Sequence, residues 1–157
     1  MGIKELLEEK FGDKVSFTVD KHNEAWINIP LDLLRDVLKA LREAGFDHLS
    51  TITGYDDGEK INLIYHVVKF YDGKSETVNV ITSTDRNNSV APSILEIYPS
   101  ALVYEREVYD LLGVKFDGHV GLKRLLLPEN VPEGYHPLRK DFKSGSYLVS
   151  PKEGENE

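Results

Sequence analysis

Two Asp-Gly dipeptides, Asp57-Gly58 and Asp72-Gly73, separate three long apolar stretches, and this spacing constrains the fold more than any other feature. Asp-Gly between alternating runs is the strongest short-range hairpin signal, because the favoured two-residue turn needs positive φ at both central positions. Residues 47–55, 60–71 and 75–83 are therefore expected as three successive antiparallel strands. Upstream, Ile3, Leu6, Leu7 and Phe11 recur at helical spacing before a stop at Gly12. Val15, Phe17 and Val19 then alternate, as do Ala25, Ile27 and Ile29, around a polar turn at Asp20-Lys21-His22-Asn23. Pro30 opens a second helix with Leu34, Val37, Leu38 and Leu41 on one face, ending at Gly45. A last helical stretch runs from Pro92 to Leu112, interrupted at Pro99. The order α-β-β-α-β-β-β-α implies an α+β fold over residues 1–113, a mainly antiparallel sheet with helices packed on one face.

Beyond Gly113 the pattern changes. From Val114 to Phe142 neither a helical nor a strand period is sustained, yet Leu122, Leu125, Leu126, Leu127, Leu138 and Phe142 make the segment too apolar for simple disorder. Residues 114–143 read as an extended arm that buries its apolar side chains on its own domain or on a partner. Residues 144–157 read as a flexible polar tail. Six basic residues (Lys115, Lys123, Arg124, Arg139, Lys140, Lys143) against four acidic ones give residues 111–143 a charge of +2 within a chain of −8.

Composition excludes several classes of function. The chain has no cysteine, so disulfides, thiolate catalysis and clusters ligated by its own sulfur are out. A net charge of −8 argues against nucleic acid as partner. No apolar run approaches the roughly 20 residues that span a bilayer, and the N-terminus enters an amphipathic pattern without a signal-like segment. The expectation is a cytoplasmic location, either free or peripheral to a larger body. Abundant Glu and Lys with no Gln resemble a thermophile's avoidance of labile side chains.

The densest charged cluster is Glu105-Arg106-Glu107-Val108-Tyr109-Asp110. On a helix, Ala101, Tyr104, Val108 and Leu112 form one stripe that contains Glu105, with Arg106, Glu107 and Asp110 on the other side. A carboxylate on a packing face needs a cation or several donors. The expectation is that Glu105 pairs with Arg124 or Arg139 and so pins the arm, while Arg106, Glu107 and Asp110 face a partner. Glu105 and Glu107 project to opposite sides and cannot act as a catalytic pair. The five histidines show no metal-binding spacing, and His119 and His136 read as hydrogen-bonded structural residues. No nucleophile elbow or phosphate loop is present. The stretch Tyr135-His136-Pro137-Leu138-Arg139-Lys140-Asp141-Phe142 suits docking: Leu138 and Phe142 as anchors, the charges as register. The rival reading is a small stand-alone hydrolase using His119 or His136 with a carboxylate.

Three blocks carry a family resemblance: Glu105 to His119, Leu122-Lys123-Arg124-Leu125-Leu126-Leu127-Pro128, and His136-Pro137-Leu138-Arg139-Lys140-Asp141-Phe142. Together they resemble the signature of the 30 kDa subunit of respiratory complex I, the NADH:quinone oxidoreductase, which has counterparts in membrane-bound nickel–iron hydrogenases. The resemblance implies a scaffold that binds no cofactor or metal. It implies a subunit on the cytoplasmic side of an electron-transport complex, holding a hydrogenase-like large subunit beside an iron–sulfur small subunit. By the same resemblance Glu105, Arg106, Glu107, Asp110, His119, Arg124, Leu138, Arg139, Lys140, Asp141 and Phe142 would bind partners or pin the arm.

Overall fold

The computed structural model describes residues 2–143; the polar tail lies outside the described residues. In chain order the elements are α1 (Ile3–Phe11), β1 (Ser16–Val19), β2 (Ala25–Asn28), α2 (Leu34–Glu43), β3 (His48–Asp56), β4 (Lys60–Tyr71), β5 (Lys74–Asp85), β6 (Val90–Pro92), α3 (Ala101–Leu112) and β7 (Lys115–Asp117). Asp72 and Gly73 both take positive φ and close the β4–β5 hairpin as a two-residue turn. The β3–β4 connection is three residues long instead. Asp57 accepts the amides of Glu59 and Lys60 on one carboxylate oxygen, and this side-chain turn sets the loop.

Five strands form one sheet in the order β1-β2-β5-β4-β3. Every pair is antiparallel except β2 with β5, so the sheet is mixed but mainly antiparallel, as the element order implies. Ile52, Tyr65, Val80 and Ile27 lie opposite one another across four strands and make one row of the core. That face packs with Val37, Leu38 and Leu41 of α2, Leu7 of α1, and Val108 and Leu112 of α3 in a single buried cluster. Each such side chain contributes about 1.5–3 kcal/mol on leaving water, so the helices belong where the period-2 strands present their apolar side. The opposite face is polar. Asn79 donates its amide to Glu24, which leaves Asn79 Oδ1 to accept from His66 Nδ1, while His66 Nε2 accepts from the Thr53 hydroxyl.

Two sequence expectations are corrected. The helix anticipated from Pro92 begins only at Ala101, because residues 90–92 form a strand and 93–100 form turns. The segment after Gly113 is not aperiodic from its first residue: Lys115–Asp117 pairs in parallel with Val90–Pro92. Val114 and Phe116 are core residues, both almost fully buried. Three-residue strands carry too few alternations to be seen by period.

Two glycines set the position of α3. A Cβ on Gly54 of β3 would stand 2.5 Å from Leu112 Cδ1, so glycine lets the helix lie directly on the strand. Gly113 caps α3 in the left-handed region (φ 76°), and a Cβ there would meet His136 Nε2 at 2.5 Å. Its missing side chain leaves room for the arm to return.

Candidate functional site

The arm folds back on its own domain, and α3 supplies its principal fastening. Asp110, buried on the arm side of the helix, accepts the amides of Leu125, Leu126 and Leu127 on one oxygen at 3.2, 2.7 and 2.8 Å. Three successive N–H groups aimed at one point form a concave anion-binding nest, here filled by the protein's own carboxylate. One turn earlier, Arg106 donates to the carbonyls of Lys123 and Arg124 at 3.2 and 2.7 Å. Amide donors and carbonyl acceptors from a single stretch of arm thus meet an acid and a base four residues apart on one helix face. Asp110 and Arg106 were expected to face a partner; both are consumed by the arm. Helical periodicity puts both on the side of α3 away from the Ala101–Leu112 stripe, and it does not specify whether the surface they meet there is another protein or the same chain.

A second fastening joins the end of the arm to the β3–β4 and β5–β6 connections. The Arg86 fork grips Asp56 with two bonds of 2.8 and 2.9 Å, and Asp56 also accepts the amides of Gly58 and Lys140 at 2.9 Å each. The Arg86 guanidinium holds the Asp56 carboxyl far below the usual carboxylate range, against the opposing effect of burial; the two amides act in the same direction as Arg86. Arg86 reaches on to Asp141 at 3.0 Å. Arg139 donates to the carbonyls of Leu112 and Arg86 at 2.7 and 2.8 Å and, more weakly, to the Ser89 hydroxyl. Lys140 adds its ammonium to the Asp57 carbonyl at 3.2 Å. Sequence reasoning missed Asp56, Arg86 and Ser89. Their partners lie far along the chain, so no local pattern marks them.

Glu105 is buried in the apolar stripe, as its helical position implies, but its expected arginine partner is absent. Its two oxygens accept from the Ser93 hydroxyl and the Ile94 amide, both at 2.7 Å, and His119 Nε2 stands 3.9 Å away. Arg124 turns instead to the carbonyls of Val131 and Pro128, and Arg139 to the carbonyls described above. Burial raises the Glu105 carboxyl above its ordinary range, while the Ile94 and Ser93 donors partly oppose the rise. Glu105 fastens the 93–98 turns to α3; the carboxylate that pins the arm is Asp110, five residues on.

The remaining candidate residues divide by what they touch. His119 donates Nε2–H to the Leu102 carbonyl and His136 donates Nδ1–H to the Asp110 carbonyl, which commits both rings to backbone positioning. Leu138 donates its amide to the Leu111 carbonyl while its side chain stays 53% exposed. Phe142 is half-buried and donates its amide to the Arg139 carbonyl. Glu107 lies half-buried beside β3, and its side chain makes no ion pair or hydrogen bond among the described residues. Val120 and Leu126 point outward from the arm, 70% and 59% exposed, and Leu102 and Val103 are exposed on α3. A cavity of about 840 Å³ between α3 and the arm is lined by Tyr109, Lys115, Lys123, Glu129, Glu133 and His136 among others. Among the described residues no group of three potential metal ligands converges, and no helix is long and apolar enough to cross a membrane.

Comparison with known proteins agrees with this architecture. Residues 27–148 match the family described as respiratory-chain NADH dehydrogenase, 30 Kd subunit. The chain is 40% identical over 118 residues to the C subunit of the NADH-quinone oxidoreductase of Moorella thermoacetica, covering 73% of this chain and 77% of that one. It is 34% identical over 122 residues to the membrane-bound hydrogenase subunit beta of Pyrococcus furiosus, covering 75% and 69%. In three dimensions it is similar to a chain of the membrane-bound sulfane sulfur reductase, an archaeal respiratory membrane complex, with a TM-score of 0.75 at 26% identity over 99% of this chain and 94% of that one. The fastened arm, the glycine-capped α3 and the β3–α3 packing all fall within the matched residues, and the chain belongs to the 30 kDa subunit family of respiratory-chain NADH dehydrogenase, whose members also serve hydrogenase-like respiratory complexes.

Proposed function

We propose that this chain is a non-catalytic scaffold subunit on the cytoplasmic side of a complex I-related membrane-bound oxidoreductase. It holds a hydrogenase-like large subunit and an iron–sulfur small subunit, and it binds no cofactor itself. The observation that carries the reading is the outward display of Val120, Leu126 and Leu138 on an arm fastened from beneath by Asp110 and Arg106 of α3 and by its own Arg139, which reaches the Leu112 carbonyl. Large apolar side chains held in water gain free energy when a partner covers them, and a pre-ordered backbone lowers the entropy lost on docking. Both histidines of the rival hydrolase reading are held by backbone carbonyls, which favours the scaffold.

The test is affinity purification from detergent-solubilised native membranes through a tag at the N-terminus, with partners identified by mass spectrometry. The expected result is recovery of the large and iron–sulfur small subunits with the parent chain. Their loss is expected from a Leu126→Asp, Leu138→Asp variant that keeps its thermal stability. Recovery of the chain alone from the soluble fraction would overturn the reading.

A further inference from the structure

The two edges of the sheet are defended very differently. At one edge, β1 is four residues long and is flanked by Lys14, Asp20 and Lys21. Short edge strands and flanking charges are the usual protection against pairing with another chain. At the other edge, β3 runs for nine residues, and between Ser50 and Tyr55 it carries no charge and no proline. Its one irregularity is a bulge between Leu49 and Thr51, which leaves the stretch from Thr51 to Tyr55 regular. Among the described residues no backbone group outside the sheet bonds to that stretch. Thr51, Thr53 and Tyr55 are strand-favouring residues that alternate with the core-facing Ile52 and so keep this stretch extended.

A groove of about 140 Å³ runs beside this edge, between Thr51–Gly54 and the α3 residues Glu107 and Leu111, with Leu138 of the arm at its rim. It has room for one apolar side chain, whereas a helix is about 10–12 Å across. Glu107 at its margin has no cationic partner among the described residues. We propose that the outer edge of β3 accepts an extended segment of a partner subunit as a sixth strand, with an apolar side chain beside Leu138 and a Lys or Arg against Glu107. Main-chain bonds give such an added strand its affinity, and the side-chain groove gives specificity. A second copy of this chain is the less fitting occupant, since a net charge of −8 and the unpaired Glu107 oppose self-pairing. This inference rests on the scaffold reading and gives it a second point of attachment, separate from the arm.

Amide hydrogen exchange distinguishes the outcomes, measured on the isolated chain and on the chain within the complex purified from native membranes. The outward amides of residues 51–55 should slow at least tenfold in the complex, and Glu107→Lys should remove most of that slowing. Slowing confined to arm residues 120–138 would overturn the added strand while leaving the scaffold reading intact. Slowing in the isolated chain as its concentration rises would assign the edge to a second copy and overturn the partner segment. Failure to recover any complex would overturn both readings.

Discussion

Removing the Asp110 carboxylate should free the arm without unfolding the domain. Its Oδ2 accepts three amides, two of them at 2.7 and 2.8 Å and the third, longer, at 3.2 Å. Hydrogen bonds to a charged acceptor contribute about 1.5–3 kcal/mol each. The backbone of Leu125–Leu127 lies near the surface and regains water once the arm lifts, so only the lower end of that range applies. Counting the two short bonds, Asp110→Ala should cost about 3 kcal/mol in the local opening of the arm, roughly a hundredfold in the opening equilibrium. Asp110→Asn keeps an acceptor oxygen but loses its charge, and its effect should be about tenfold. The assay is NMR-detected hydrogen exchange at Leu126 and Leu127. Global unfolding should change much less, because Val108 and Leu112 on the inner face of α3 are untouched. Glu105→Gln serves as the control and should leave both amides unchanged. Unaltered exchange at Leu126 and Leu127 in Asp110→Ala would refute the assignment of Asp110 as the pin.

Two further expectations concern pH, and they have opposite signs. Asp56 titrates far below its unfolded value, so its contribution to stability is fully present above about pH 4 and is lost as acid approaches the depressed value. The deficit of Asp56→Asn in chemical denaturation should therefore be constant from roughly pH 5 to 8 and shrink below about pH 4; a deficit that grows in acid would contradict the Arg86 grip. Glu105 is raised by burial, so its ionisation opposes folding: the stability linked to it is present below the unfolded value, near about pH 4, and is lost as pH rises. The stability of Glu105→Gln relative to the parent should consequently rise between roughly pH 4 and 7, and a relative stability that falls over that interval would contradict burial as the dominant influence on Glu105.

The fate of Glu105 shows how far a helical repeat can specify a contact. Helical spacing placed it in the stripe with Ala101, Val108 and Leu112, and it is buried there. Elementary electrostatics then demanded donors. The demand is met, but by Ser93 and Ile94, twelve and eleven residues earlier, and not by an arginine of the arm. Arg124 and Arg139 meet backbone carbonyls, which every residue type offers, so sequence could not single out their partners. The three-block motif was more informative than any single residue, since the residues of its blocks, taken together, resemble the family's signature.

Strand and helix periodicity, the Asp-Gly turn and the polar face of α3 are local properties, set by steric limits on φ and ψ and by which side chains leave water. Each is written within a few residues of chain, so each could be read before any contact was known. The choice of Asp110 over Glu105 as the arm's pin, the Asp56–Arg86 grip across 30 residues, the β6–β7 pair and the open edge at β3 join segments distant along the chain. These emerge only in three dimensions, because a hydrogen-bonding group does not encode which of many chemically equivalent partners the packed core will bring within about 3 Å of it.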